Sequence, residues 1–167
     1  DDNGIDKIVF GSGISLADLT FSADDDTLCI YINNDKTQGI KITDQLDDYS
    51  SNKIETIEFA DGSTFNLTSD NLTLTLSDGN DYLYGPDQNI TYIGNKGDDS
   101  ISGGSGNDTY VWNLGDGMDS IYDEGGTDRI IFGPNISLDD ISFRRNDSEL
   151  FIIVNNDINQ GVRIGSF

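Results

Sequence analysis

The sequence predicts an all-β fold, a short flattened parallel β-roll with irregular β segments around it. Three observations lead there. A nine-residue grid of glycine and aspartate runs through the second half of the chain. Alternating apolar and polar residues fill the stretch before it. The two ends of the chain repeat each other at a fixed offset.

The grid is clearest in GNKGDDSISGGSGNDTYVW, from Gly94 to Trp112. Two units lie inside it, GNKGDDSIS and GGSGNDTYV, each with Gly fourth, Asp sixth and an apolar or aromatic residue eighth. The preceding units are one ending in GNDYLY, with Asp81 sixth, and GPDQNITYI, with Ile90 in the aspartate place. Asp99 and Asp108 follow at intervals of nine. Asp119 comes after eleven, because Asn113 and Leu114 lengthen the chain, and Asp128 returns at nine. The eighth-place residues are Leu83, Tyr92, Ile101, Tyr110, Ile121 and Ile130.

Nine residues suit a tight turn of about six plus a very short strand, and two such units make one coil of a roll. Glycine lets the turn take positive φ and lets chains approach closely. The eighth residue faces inward and stacks on its neighbours, which a single unit cannot achieve alone. Residues 18 apart then share an edge, so Asp81 pairs with Asp99 while Asp108 lies on the other edge. The aspartates are expected to turn outward. A column of carboxylates repels itself unless a cation intervenes. Calcium suits it best, because it accepts six to eight oxygens in tolerant geometry, whereas magnesium demands a tighter octahedron. With no His and one Cys, zinc is disfavoured.

The repeat is longer than the grid. Residues 1–45 align without a gap on residues 123–167, with 20 identities at an offset of 122. Asp6 and Ile8 are thus the copies of Asp128 and Ile130. The chain holds one period of a tandem array and the start of the next, so a long modular parent is expected. Residues 14–76 read as strands, in ISLADLTF, TLCIYI, GIKI, KIETIEF, STFNL and LTLTL, separated by turn-forming residues. TDQLDDYSSNK is open to a short helical turn. These strands either extend the solenoid irregularly or form a small separate sheet. The expected division is 1–13 as the end of a preceding block, 14–76 as an irregular β segment, 77–133 as the roll and 134–167 as the start of the next irregular segment.

Composition narrows the function classes. Thirty-one acidic against 9 basic residues give a formal net charge of -22, which repels nucleic acid and favours cations or basic surfaces. The patterned apolar content argues against disorder. No apolar run reaches the about 18 residues of a membrane span. The lone Cys29 sits in a strand pattern and reads as a core residue. Without His there is no Ser-His-Asp triad or Cys-His pair, and each grid aspartate is better explained as a ligand than as half of a glycosidase pair. The chain is therefore expected not to be an enzyme. The Gly11–Gly13 stretch GSG lacks a following Lys and reads as a turn, not a phosphate loop.

GGSGNDTYV, with the IVFGSGISLADL and IETIEFADGS segments, resembles the calcium-binding nonapeptide repeats of RTX, or haemolysin-type, proteins and the segments that flank them. The resemblance implies calcium between successive turns of one edge, held by the sixth-place carboxylate and by carbonyls of the glycine-rich turns. One site would join Gly79 and Asp81 to Gly94, Gly97 and Asp99. A second would join the latter turn to Gly115, Gly117 and Asp119. A third would join Gly103, Gly104, Gly106 and Asp108 to Gly126 and Asp128. Gly4 and Asp6 would begin a half-site. Ile90, Pro86 and Gln88 depart from the pattern and put the site spanning residues 85–108 in question. The insertion before Asp119 either loosens the stacking or is an accommodated bulge beside Tyr110 and Trp112. The resemblance further implies a secreted or bacterial cell-surface protein, exported by type I secretion and folding in calcium-rich medium. Such a module serves as folding nucleus and spacer within a toxin, adhesin or enzyme, with calcium and neighbouring repeats as partners. The other reading is a calcium-dependent adhesion module for a peptide, glycan or host surface, using Tyr82, Tyr84, Tyr92 or Trp112.

Overall fold

The computed structural model describes residues 4–47, 49–51, 53–69 and 71–165. The described residues form an all-β chain. Before the grid lie β1 (Lys7–Val9), β2 (Leu19–Asp24), β3 (Thr27–Ile32), β4 (Asp35–Ile42), β5 (Thr56–Glu58), β6 (Thr64–Asn66) and β7 (Leu72–Thr75). The grid supplies β8 (Tyr82–Tyr84), β9 (Ile90–Ile93), β10 (Ser100–Ser102), β11 (Thr109–Trp112), β12 (Met118–Tyr122) and β13 (Arg129–Phe132). The repeat of the N-terminal segment gives β14 (Ile141–Arg145), β15 (Glu149–Val154) and β16 (Gly161–Gly165).

Each nonapeptide contributes one strand, and successive strands alternate between two sheets. One is the four-stranded parallel order β13-β11-β9-β7, and the other carries β12-β10-β8 as parallel neighbours. The register follows the grid. Leu83 faces Ile101 and Thr91 faces Thr109, 18 residues apart, whereas Ile101 faces Ile121 and Tyr110 faces Ile130, 20 apart. The two inserted residues are absorbed in the turn between β11 and β12, and both ladders stay in step. Asp116 closes that turn by accepting the Asn113 N–H at 2.6 Å, and Trp112 Nε1 donates to the Gly117 carbonyl at 3.2 Å. The insertion is an accommodated bulge.

Leu83, Tyr92, Ile101, Tyr110 and Ile121 are buried between the sheets, while Ile130 and Ile8 are half-buried. The rings of Tyr92 and Tyr110 stack at 5.3 Å between centroids, one coil apart. Ile90 is also buried, so the residue that breaks the aspartate column joins the core.

Residues 14–76 do not continue the two parallel sheets until β7. They form an antiparallel meander, β2-β3-β4, and a small sheet in which β1 runs parallel to β5 and β6 pairs antiparallel. Asn33 and Asn34, at φ 53° and 57°, make the β3–β4 turn, a pair of left-handed residues that suits the twist of a hairpin. Asn155 and Asn156 repeat it at φ 53° and 58°. ISLADLTF is not strand throughout, since Leu16–Asp18 is a single 3₁₀ turn. The Asp18 carboxylate accepts from both the Ser15 N–H and hydroxyl, at 2.8 and 2.7 Å. Ser137 and Asp140 do the same in the second copy. The described residues of TDQLDDYSSNK form turns and bends without a helical turn, and residues 48 and 52 lie outside the described set. Cys29 is buried in β3.

Candidate metal centre

Positions five and six of each unit build side-chain ladders along the two edges. On one edge, Asp99 Oδ1 accepts the Asp81 N–H at 2.8 Å, and Asp119 Oδ1 accepts the Asp99 N–H at 3.1 Å. On the other, Asp108 Oδ1 accepts the Ile90 N–H at 2.8 Å, and Asp128 Oδ1 accepts the Asp108 N–H at 3.0 Å. Each carboxylate thus caps an amide of the coil before it. Ile90 completes its rung because the rung uses its amide and not its side chain.

Position five works in the opposite direction. Asn80 accepts the Asp98 N–H at 3.0 Å and Asp98 accepts the Met118 N–H at 2.9 Å. Asn89 accepts the Asn107 N–H at 2.7 Å and Asn107 accepts the Thr127 N–H at 2.8 Å. Asn or Asp fills the fifth place in four consecutive units, a regularity that the more conspicuous Gly and Asp columns beside it conceal.

Glycine at position four lets the turns nest. A Cβ on Gly97, at φ 125°, would lie 2.5 Å from the Gly79 carbonyl oxygen, and one on Gly117 would overlap the Gly97 carbonyl. On the other edge Gly126 nests on Gly106 and Gly106 on Gln88, and Gly104, at position two, nests on Pro86. Gly115 meets no such crowding, and its N–H donates to Gln160 Oε1 at 3.0 Å. Gly94 and Gly103, at position one, instead leave room beside carboxylates. A Cβ on Gly94 would come within 2.5 Å of Asp99 Oδ2, and one on Gly103 within 2.6 Å of Asp108 Oδ2 and 2.8 Å of Asp123 Oδ2.

Three of the grid aspartates do not turn outward as expected, whereas Asp128 is exposed and Asp81 half-buried. Asp99 and Asp108 are 1% exposed and Asp119 is 5% exposed. The amide of the preceding coil draws each carboxylate into the stack. Among the described residues the second oxygens of Asp99 and Asp108 are then buried with no hydrogen-bond partner, an arrangement that costs free energy unless something neutralises them. Burial, reinforced by the charges of Asp81, Asp116 and Asp98, pushes Asp99 up to about 6. Burial beside Asp123 and Asp128 pushes Asp108 up to about 7, and burial beside Asp99 pushes Asp119 up to about 7.

Asp108, Asp123 and Asp128 each offer a carboxylate oxygen, all within 4.8 Å of one another. Asp123 is held there by the Tyr110 hydroxyl, which donates at 2.7 Å, and by the Gly125 N–H at 3.0 Å. Burial raises the Asp123 carboxyl and, still more, the Tyr110 phenol. Asp123 occupies position one, where Gly94 and Gly103 stand in earlier units, so the grid itself does not mark it as a ligand. Three convergent carboxylates and an unpartnered buried oxygen suit a divalent cation that prefers oxygen.

The remaining candidates are placed differently. Asp81 folds back on Ser77, taking its N–H at 2.8 Å and its hydroxyl at 2.9 Å, and Gly79 lines that exposed turn. Gly4 and Asp6 lie apart from both columns. The Asp6 N–H donates to Glu55 Oε2 at 2.7 Å, the role that a grid aspartate plays elsewhere. The Asn95 side chain donates to the Leu76 carbonyl at 2.8 Å.

Residues 28–69 match the haemolysin-type calcium binding protein related domain. The match spans β3 to β6, the segment that precedes the grid, not the grid itself. No curated protein matches the chain. Among solved structures, the extracellular lipase LipA from Serratia marcescens aligns with 95% of this chain at 16% identity and a TM-score of 0.41. The chain spans 30% of that protein's length. Among the described residues no helix is long and apolar enough to cross a membrane.

Proposed function

We propose that this chain is a calcium-binding structural repeat module, with the grid wound as a parallel β-roll. It folds when it meets calcium-rich medium outside the cell and acts as folding nucleus and spacer in a larger secreted protein. The observation that carries this reading is the pair of buried carboxylate oxygens, on Asp99 and Asp108, without a partner. Asp108, Asp123 and Asp128 would hold one ion, and Asp99 with Asp119 would face another on the opposite edge. A bound ion supplies positive charge to carboxylates that burial otherwise keeps partly protonated. Its binding free energy then adds to folding free energy. In this reading the grid aspartates are ligands, and no catalytic step is assigned to them. The haemolysin-type match supports a secreted context. Exposed Tyr82, Tyr84 and Tyr122 on the outer face favour ligand binding as a second role.

Calcium titration followed by circular dichroism tests this. Cooperative gain of β structure from a largely unordered chelated state is expected. A fully folded chain in chelator, with no calcium uptake in calorimetry, would overturn it.

A further inference from the structure

The outer face of β8, β10 and β12 is patterned unlike the rest of the surface. Small residues, Ser100 and Ser102, lie in register between Tyr82 and Tyr84 on one side and Ser120 and Tyr122 on the other. The serines form the floor of a groove of about 360 Å³ with tyrosine walls. A second cavity of about 430 Å³ joins it at Tyr84, Ser102 and Glu124 and runs beneath the turn that carries Asp47 and Tyr49. The groove therefore lies where the irregular segment meets the grid. Tyr82 and Tyr84 are 61% and 54% exposed, although their rings touch edge to face at 5.2 Å. β8 also ends its sheet, so its outer edge runs beside the groove.

Charge selects the occupant. Glu124 lines both cavities, Asp26, Asp47 and Asp87 line the second, and among the described residues neither is lined by Lys or Arg. Arg163 at the rim donates to Ser120 Oγ at 2.7 Å and to the Tyr122 hydroxyl at 3.5 Å, and its charge faces Glu149 at 3.5 Å. Tyrosine faces attract cations through the ring quadrupole, and an edge strand receives extended chain. We propose that this groove binds an extended segment of polypeptide carrying Lys or Arg side chains, with Tyr84 and Glu124 at its centre. The site requires the folded chain, and none of the proposed ion ligands lines it.

The test is binding of a fluorescein-labelled (Lys-Ser)₅ peptide to the full chain in calcium buffer, followed by anisotropy. Tyr84→Ala with Glu124→Gln is expected to weaken binding about tenfold. Asp139→Asn with Asp147→Asn, which removes charge at exposed sites away from the groove, is expected to change it less than about twofold. Glu124→Lys, a single charge reversal on an exposed side chain, is expected to weaken binding about tenfold or more even should the double variant fold poorly, and unchanged binding by this variant would overturn the proposal. Equal losses from both double variants would show general attraction to an acidic protein and overturn the proposal. No binding of the peptide, or displacement of it by cellohexaose, would overturn it too.

Discussion

The grid and the β2–β4 meander meet in one hydrophobic core but are held together in different ways. Meander strands run to six and eight residues and pair antiparallel, with Leu28 and Ile30 fully buried. Asp24 and Asp35 stay at its exposed periphery. Grid strands are three to five residues long and pair parallel, and Asp99, Asp108 and Asp119 sit inside the stack. The meander rests on apolar burial, on which calcium and protons have no direct hold. The grid rests on burial plus buried charge, so its stability is set by what neutralises that charge.

The sharpest way to break the contrast is steric. Gly117→Val puts a branched side chain at φ 109° against the Gly97 carbonyl. It should cost more than about 3 kcal/mol and abolish the calcium-dependent transition in circular dichroism. Leu28→Ala should cost about 2 to 5 kcal/mol in chemical denaturation, by a similar amount with calcium and with chelator.

Asp108→Asn separates charge from hydrogen bonding, since the amide oxygen can still accept the Ile90 N–H. In chelator at pH 8 the variant should be at least as stable as the parent, while its calcium midpoint should rise about tenfold or more. A loss of stability in chelator would mean that the carboxylate is stabilising without an ion.

The pH dependence should run the same way. Asp99, Asp108 and Asp119 are raised to about 6, 7 and 7 in the folded chain. Between about pH 4 and 7 the metal-free folded state therefore holds protons that the unfolded state has released. The contribution of these three groups to metal-free stability should be full below the ordinary carboxylate range and be lost as pH rises from about 4 through 6 to 7. Calcium affinity should rise over that window, with proton release measurable by calorimetry in buffers of different ionisation enthalpy. The smallest effect is expected at the exposed pair of Lys96 and Asp78, 2.9 Å apart. Lys96→Ala should cost less than about 1 kcal/mol.

Much of this was legible in the sequence. The nine-residue spacing specified the strands and their 18-residue register, because apolar residues at one position must stack. The aim of Asp99 and Asp108 was not legible, since it depends on an unpaired amide in the coil before. Asp123 was hidden by its place at position one, and the Ser15–Asp18 turn by an apolar alternation that also suits a strand. The parallel pairing of β1 with β5 joins residues 49 apart, as in Lys7 and Thr56, and no local pattern announces it.

Hydrogen exchange measured with and without calcium tests the central claim most directly. The amides of Asp81, Ile90, Asp99 and Asp108, capped by the carboxylate ladders, should gain strong protection when calcium is added. Those of Leu28 to Ile32 should gain far less. Equal protection of both regions in chelator, unchanged by calcium, would contradict the assignment of the grid as the cation-dependent half of the molecule.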